Sequence, residues 1–511
     1  MVMGSTHEVE RKFDVDSTFA LPALTRVRGV SSASGVEERH LDAVYYDTDD
    51  LRLARNRLVL RRRRGGADQG WHLKLPAADG ERDEIQRSLG DPDVIPEDLL
   101  DLVSVRTRGH ALRPVAHLST VRRAQRLSDA TGADLIEVAD DLVKAQTMGD
   151  RTVVSTWREI ELEAVDRAGT RVLPATAKAL REAGARPSHA PAKLLRALGD
   201  DVGPAEVEIP AGPLTVDDRA SAVIHGYLAE QTARLLEEDP RVRLDTPEAV
   251  HDMRVAARRL RSTVQTFRPL FDPARAAEIQ TGLRALGEAL GVPRDAEVQL
   301  ARHLRAVDSQ PTEAVLGPVR ARVEQTFLGE RLRGAQRAVA YLRSEQYLTF
   351  IETLLAFVAD TEQTAPARRP ASQVLPKLAR KADRRLTRRV ARAERAAAGR
   401  PSDVAHHDAR KAAKRLRYAC EAVAPVFGPD AARLGRRAKK VQDMLGEHQD
   451  CVVARERMRT LAIAANLAGE SSYTYGLLTG AENARAERTI DEFTARWPGL
   501  ARRRYRRWLH G

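Results

Sequence analysis

The chain has 511 residues, 42% hydrophobic and 31% charged, which suits several globular domains and excludes a disordered polypeptide. Its net charge of +12 points to a polyanionic partner, while 4% aromatic residues argue against reading single strands by base stacking. Two cysteines, Cys420 and Cys451, exclude a disulfide framework, and no apolar run suits a membrane span or secretory signal, so reduced thiols and a cytoplasmic location are expected.

The first predicted element is a strand over residues 7–13, which sets Glu8, Glu10 and Lys12 on one face, about 7 Å between neighbours. Carboxylates this close call for a divalent cation, and the ammonium beside them calls for an anion. A metal-complexed phosphate chain satisfies both; a solvated strand face is the plain alternative. Further strands are predicted at 37–46, 57–64, 70–75, 82–88, 116–128, 133–143 and 152–165, punctuated by turns such as Gly65-Gly66 and Thr131-Gly132. Short helices are expected at 97–105, 174–183 and 192–198. Eight strands with polar inner faces suggest a closed or nearly closed antiparallel barrel over residues 5–200.

Several of these strands carry alternating charge: Arg61 and Arg63, Arg82 and Glu84, Arg122 and Arg126, and Glu159, Glu161 and Glu163. Lys74 stands between apolar neighbours, and Asp140 lies inside the strand at 133–143. Buried charges are costly unless paired or ligated, so these faces either point to water or line a polar cavity that holds ions, and five such strands in one domain favour the cavity.

The Glu8-x-Glu10-x-Lys12 opening, Arg61-x-Arg63, Lys74, Arg82-x-Glu84 and Glu159-x-Glu161-x-Glu163 together resemble the CYTH domain, or triphosphate tunnel metalloenzyme fold. The resemblance implies an eight-stranded tunnel acting on triphosphates with Mg2+ or Mn2+. By it, Glu8, Glu10, Asp140, Glu159, Glu161 and Glu163 hold metal, and Lys12, Arg61, Arg63, Lys74, Arg82, Arg122 and Lys193 grip phosphoryl oxygens. Catalysis then falls to Glu8, Glu10 and Lys12, with a free glutamate as general base. One departure is Ala192, where the family places Ser before the lysine.

A linker is expected at 201–214, and an all-α region of roughly ten helices at 215–500. That region is duplicated, with halves near 215–365 and 370–500. The segment from His251 to Arg261 returns from His407 to Arg417, and Leu290-Gly291-Val292-Pro293-Arg294-Asp295 returns as Leu445-Gly446-Glu447-His448-Gln449-Asp450, in register to within one residue. In the first copy His251, Arg254, Arg258 and Arg261 form one helical stripe; His407, Arg410, Lys414 and Arg417 repeat it. Two such stripes meeting across a bundle make a positive groove suited to an extended polyanion. The His-Asp pairs also permit a metal-dependent phosphohydrolase of the HD type, but further ligands are not evident and the neighbours are cationic.

The duplicated pattern resembles the CHAD domain, a helical bundle with conserved histidines, which implies binding of inorganic polyphosphate. Both stripes are candidates by that resemblance, with Lys411 and Lys440 as additions. His448 reads as either groove residue or helix surface. The basic helix from Lys377 to Arg389 borders the groove or is solvated, and the basic tail at 501–511 reads as surface or as an extra anion contact.

The chain is therefore expected to be an α+β, multidomain protein. A tunnel hydrolyses inorganic triphosphate or polyphosphate, and a helical domain binds the polymer. The competing expectations are a polyphosphate-binding protein with a vestigial tunnel, nucleotide cyclisation or thiamine triphosphate hydrolysis, and non-specific nucleic-acid binding.

Overall fold

The computed structural model describes the chain except residues 1–4, 77–81, 92–93, 150, 211, 361–363 and 511, and the side chains of 5–8 and 82 also lie outside the described set. It divides into two compact units, Met1–Glu206 and Val207–Gly511.

The first unit is built on one antiparallel sheet. Its strands are β1 (Ser5–Glu8), β2 (Glu10–Val15), β3 (Ser32–Ala33), β4 (Glu37–Asp47), β5 (Val59–Arg64), β6 (Gly70–Pro76), β7 (Arg82–Arg87), β8 (Arg113–Ser128), β9 (Asp134–Thr147), β10 (Val154–Ala164) and β11 (Arg186–Pro187). The order is β1-β7-β6-β5-β4-β8-β9-β10-β2-β11, with β3 on β8. The hydrogen-bonded path is not closed. Strands β1 and β2 are separated in the chain by Val9 alone, so the N-terminal segment meets β7 with its first half and β10 with its second. The eight expected strands are thus present, and the higher count comes from this split and from the two-residue β3 and β11.

The apolar core of this unit lies largely outside the sheet. Helix α3 (Arg167–Glu182) follows α1 (Arg52–Arg55) and α2 (Glu97–Thr107). It packs Leu173, Ala177 and Leu180 against Phe13, Ile136, Val138, Ile160 and Leu162 on the outer face of β2, β9 and β10. Gly169 permits that approach, because a Cβ there would meet the carbonyl oxygen of Leu135. Helix α4 (Lys193–Leu198) instead packs Leu194 and Leu198 among Tyr45, Val59, Leu118 and Val143, and so makes one end of the sheet interior apolar.

The second unit holds α5 (Ala220–Arg243), α6 (Ala249–Thr266), α7 (Pro273–Ala289), α8 (Gly291–Asp308), α9 (Val319–Leu342), α10 (Glu345–Ala359), α11 (Ala371–Ala393), α12 (Arg400–Leu467) and α13 (Tyr473–Leu500). Gly428, at φ +62°, breaks α12 into two helices. The halves correspond as α5 to α11, α6 to α12 before Gly428, α7 and α8 to α12 after it, and α9 to α13. Their contacts are reciprocal, as in an isologous pair. Ala220 N donates to Arg369 O at 2.8 Å and Ala371 N to Asp218 O at 2.7 Å. Arg259 of α6 reaches Glu421 at 3.3 Å, and its counterpart Arg415 reaches back to Gln265, the counterpart of Glu421.

The expected surface tail is a packed element. Residues Arg503–His510 form a 3-10 stretch that buries Leu509 in the core of the second half and donates from Arg506 Nε to Asp383 at 2.7 Å. This stretch follows α13 as α10 follows α9, and it covers α11 and α12 in a shortened form. No described helix is long and apolar enough to cross a membrane.

Candidate functional site

Alternation along the strands turns a second set of side chains into the sheet interior, where they line a cavity of about 470 Å3. Its two walls differ in charge. Strands β4, β5, β6 and β8 contribute Arg39, Arg61, Arg63, Lys74 and Arg122; β9, β10 and β2 contribute Glu137, Asp141, Glu161, Glu163 and Glu10. Glu84 of β7 is set into the cationic wall, accepting from His72 at 2.7 Å and lying 3.8 Å from Arg61 and 3.7 Å from Lys74. The wall still has excess positive charge. Burial, with Arg61 and Arg122 nearby, pushes the Arg63 guanidinium down to about 9.

The acidic wall is ordered by sheet register. Asp14, Glu159 and Asp141 form one row across β2, β10 and β9; Lys12, Glu161 and Ala139 form the next, and Glu10, Glu163 and Glu137 the third. Cations neutralise the first two rows, Lys12 from within the second and the others from neighbouring elements. Lys193, the first residue of α4, places Nζ 3.0 Å from Asp141, 2.8 Å from Glu159 and 2.7 Å from Glu161. Arg122 donates to Asp141 at 2.7 Å and Glu161 at 2.6 Å, and Lys12 to Glu161 at 2.6 Å. Burial opposes ionisation of Glu161, but Lys12, Lys193 and Arg122 outweigh it and hold its carboxyl well below the usual range. The third row is different. Lys12 stands 3.4 Å from Glu10 and Arg126 3.6 Å from Glu137, yet burial and the charges of Glu161, Glu10 and Glu137 together hold the Glu163 carboxyl above its ordinary value.

Hard carboxylate oxygens in this number fit a divalent cation. Asp141, Glu159 and Glu161 bring oxygens within 4.8 Å of one another, but Lys193 already sits among them. The row of Glu10, Glu163 and Glu137 has the charge deficit that a cation relieves.

In the second unit, α6 and the first part of α12 bring the two stripes together. Lys414 is pushed down to about 7 by burial and by Arg410, Arg258 and Arg254, with Asp450 opposing. Burial also lowers Arg258, as do Arg254 and Arg410. Arg254 donates to Asp295 at 2.9 Å, and its counterpart Arg410 lies 3.9 Å from Asp450, so each half repeats the pair. The Nε atoms of Arg258, Arg261 and Arg410 are buried without a hydrogen-bond partner among the described residues. Burial likewise lowers His251, alongside Arg294 and Arg258, and His407, alongside Lys411 and Arg410.

Residues 6–189 match the family model described as "CYTH domain", and residues 226–459 match the one described as "CHAD domain". The chain is 37% identical over 505 residues to "Uncharacterized protein Rv2226" of Mycobacterium tuberculosis (strain ATCC 25618 / H37Rv), covering 96% of this chain and 95% of that protein. The chain belongs to the CYTH–CHAD family. Among solved structures it is similar to the CHAD domain from the plant Ricinus communis, at 25% identity and TM-score 0.46, over 58% of this chain and 97% of that one. It is similar also to PptA from Streptomyces chartreusis, at 22% identity and TM-score 0.46, over 55% and 100%.

In the CYTH unit, Glu10, Lys12, Arg61, Arg63, Lys74, Arg122, Glu161, Glu163 and Lys193 all line the cavity, and Glu159 is buried behind them, bonded to Trp157 Nε1 at 2.5 Å. Glu8 and Arg82 are register partners, but their side chains lie outside the described residues. Asp140 is a correction. It shares the outer face of β9 with Ile136 and Val138 and pairs with Arg158 at 2.7 Å, while Asp141 points inward. The apolar positions of β9 mark the face under α3, so the polar parity is the inner one. That same signal places Glu137 inside, as alternation with Leu41, Ala43 and Tyr45 does for Arg39. Ala192, the residue before Lys193, makes no side-chain cap, yet Lys193 still reaches three carboxylates.

In the CHAD unit, His448 is neither groove nor helix surface. It is buried, its ring 5.4 Å from His406 and its Nε2 3.3 Å from Asp403, and burial pushes it down to about 4. Lys411 is exposed and bound to Asp408 at 2.7 Å, and Arg417 is held by Glu421 at 2.6 Å. Lys440 is exposed on the later part of α12, and none of the described contacts joins it to the stripes. In the basic helix α11, Lys381, Arg384, Arg385 and Arg388 are exposed, and Arg385 lies near enough to Arg415 to help depress it.

Proposed function

We propose that the CYTH unit hydrolyses phosphoanhydride bonds of inorganic triphosphate or polyphosphate with Mg2+ or Mn2+, and that the CHAD unit binds inorganic polyphosphate. The division of one cavity into a cationic and an acidic wall carries this reading. An anion alone is repelled by Glu10, Glu137 and Glu163, and a metal ion alone by Arg61, Arg63 and Lys74. A metal-bound phosphate chain is attracted to both walls.

A phosphoanhydride resists water because its own negative oxygens repel the nucleophile. Arg61, Arg63 and Lys74 neutralise those oxygens, the arginines in a bidentate manner. Glu10, Glu137 and Glu163 are the residues that would hold the divalent ion, which when bound would supply Lewis-acid neutralisation of phosphoryl oxygens. A carboxylate of that row not engaged by the ion accepts the proton of the attacking water. Lys193 and Arg122 keep Asp141 and Glu161 ionised and fixed, Lys193 also holds Glu159 in place, and Leu194 and Leu198 keep water from one end of the site.

For the CHAD unit, the support is the cluster of Arg254, Arg258, Arg410 and Lys414, in which burial and the neighbouring guanidinium groups depress Lys414 and Arg258 in the free protein. An extended polyanion relieves that repulsion. Phosphate release from tripolyphosphate, long polyphosphate, ATP and thiamine triphosphate tests the reading. Release with Mg2+ or Mn2+ that favours the inorganic substrates supports it; release from none of them, with polymer binding retained, leaves only a binding protein.

A further inference from the structure

The duplication supplies a baseline against which one feature of the CHAD unit stands out. The turn between α5 and α6 is acid-balanced: Glu238 pairs with Arg241 at 3.1 Å, Asp239 with Arg243 at 2.7 Å and Glu248 with Arg294 at 3.1 Å. The corresponding turn between α11 and α12 surrounds a hollow with Arg388, Arg392, Arg395 and Arg400. All four are exposed, and none makes an ion pair among the described residues. Asp408 is the acid lining the hollow, and its charge is already taken by Lys411 at 2.7 Å and Arg389 at 3.2 Å. Four like charges around one concavity repel one another, and nothing in the fold of that turn requires them.

We propose that this hollow is a second phosphate-binding site of the CHAD unit, which takes a further segment of the polyphosphate chain held by the stripes. The proposal rests on the polyphosphate reading above and extends it. Guanidinium groups match phosphoryl oxygens bidentately, and several around one hollow suit consecutive phosphates rather than a single one. Continuity with the groove comes through Asp408, which follows His407 of the second stripe and anchors Lys411. The floor is Pro401, Val404 and alanines, with no aromatic ring on which a base could stack, which favours an inorganic chain over single-stranded nucleic acid.

The test compares full-length wild type with Arg392→Glu/Arg395→Glu for binding of long-chain polyphosphate, tetrapolyphosphate and single-stranded DNA, by calorimetry across a salt series. The expected result is about a tenfold loss of affinity for the long chain, with a salt dependence shallower by about two charges. Tetrapolyphosphate binding and tripolyphosphate turnover stay unchanged, and Arg392→Lys/Arg395→Lys restores most of the long-chain affinity. Unchanged long-chain affinity overturns the proposal, as does an equal loss for short and long chains, which marks a diffuse field. Loss confined to DNA assigns the hollow to nucleic acid and overturns it too. A parallel variant, Arg258→Glu/Arg410→Glu, separates the two readings. If it abolishes polymer binding while the hollow variant does nothing, only the second site falls; if neither matters, the polyphosphate reading falls as well.

Discussion

Glu163 and Glu137 are register partners on adjacent strands, two like charges directly opposite inside one cavity. On the other side of Glu163 stands Glu10, so three carboxylates share a row. Like charges placed this way destabilise a sheet. In a protein that had no use for a cation, such a row is a cost without return.

The sign of that cost sets how stability depends on pH. The Glu163 carboxyl is raised, so its contribution is favourable below its unfolded value of about 4.5 and is lost as pH rises through the folded value. Glu163→Gln therefore raises the melting temperature of the metal-free protein at neutral pH, and the gain vanishes in acid. Adding Mn2+ raises the wild type more than the variant. Differential scanning fluorimetry with and without the ion reads both effects.

Lys193 gives the converse case. Removing it in Lys193→Met leaves Asp141, Glu159 and Glu161 facing one another without their central ammonium. Breaking a buried ion pair in this way costs about 3–5 kcal/mol. Divalent ions recover part of the loss, because the triad then takes the cation in place of the lysine. A melting temperature that is lowered but blind to Mg2+ and Mn2+ contradicts that account.

In the CHAD unit, Lys414 is pushed down to about 7 by burial and by Arg410 and Arg258. It is largely neutral in the free protein above that pH and charged when a polyanion binds. Binding near pH 8 is then accompanied by proton uptake, and affinity rises as pH falls toward 6. Calorimetry in buffers of different ionisation enthalpy measures the uptake. Lys414→Met reduces it; His251 and His407, also lowered, account for what remains at the acid end.

The two halves of the CHAD unit are also tied by charge in a buried setting. Arg302 of α8 donates to Glu482 of α13 at 2.6 Å and to Glu447 of α12 at 2.9 Å. Arg302→Leu strands Glu482 in the interior and costs about 3–5 kcal/mol. Arg302→Leu/Glu482→Leu recovers most of it, and a thermal or urea double-mutant cycle shows the coupling.

Much of this was legible in the sequence, because charge alternation and duplication are local and periodic. Glu10, Lys12, Arg61, Arg63 and Lys74 share a cavity because strand parity is a period of two, and the phase of Arg122 was legible for the same reason. The phase of β9 was harder. Ile136 and Val138 look like interior positions, but here the apolar face lies under α3 and the interior is polar, so Asp140 and Asp141 exchange places. Glu137 could have been found from the same parity. What the sequence could not show was register across strands, which alone puts Glu10, Glu163 and Glu137 in one row. Nor could it show that Trp508 and Leu509 anchor a basic C-terminal segment, since their packing partners lie in distant helices.

The most direct test of the central claim is phosphate release from tripolyphosphate by the full chain, with Mg2+, with Mn2+ and with chelator, for the wild type and for Glu10→Gln/Glu163→Gln. The account predicts metal-dependent release by the wild type, a loss of about a hundredfold or more in kcat for the double variant, and unchanged binding of long-chain polyphosphate by both. Metal-independent release, or turnover that survives the double substitution, contradicts it.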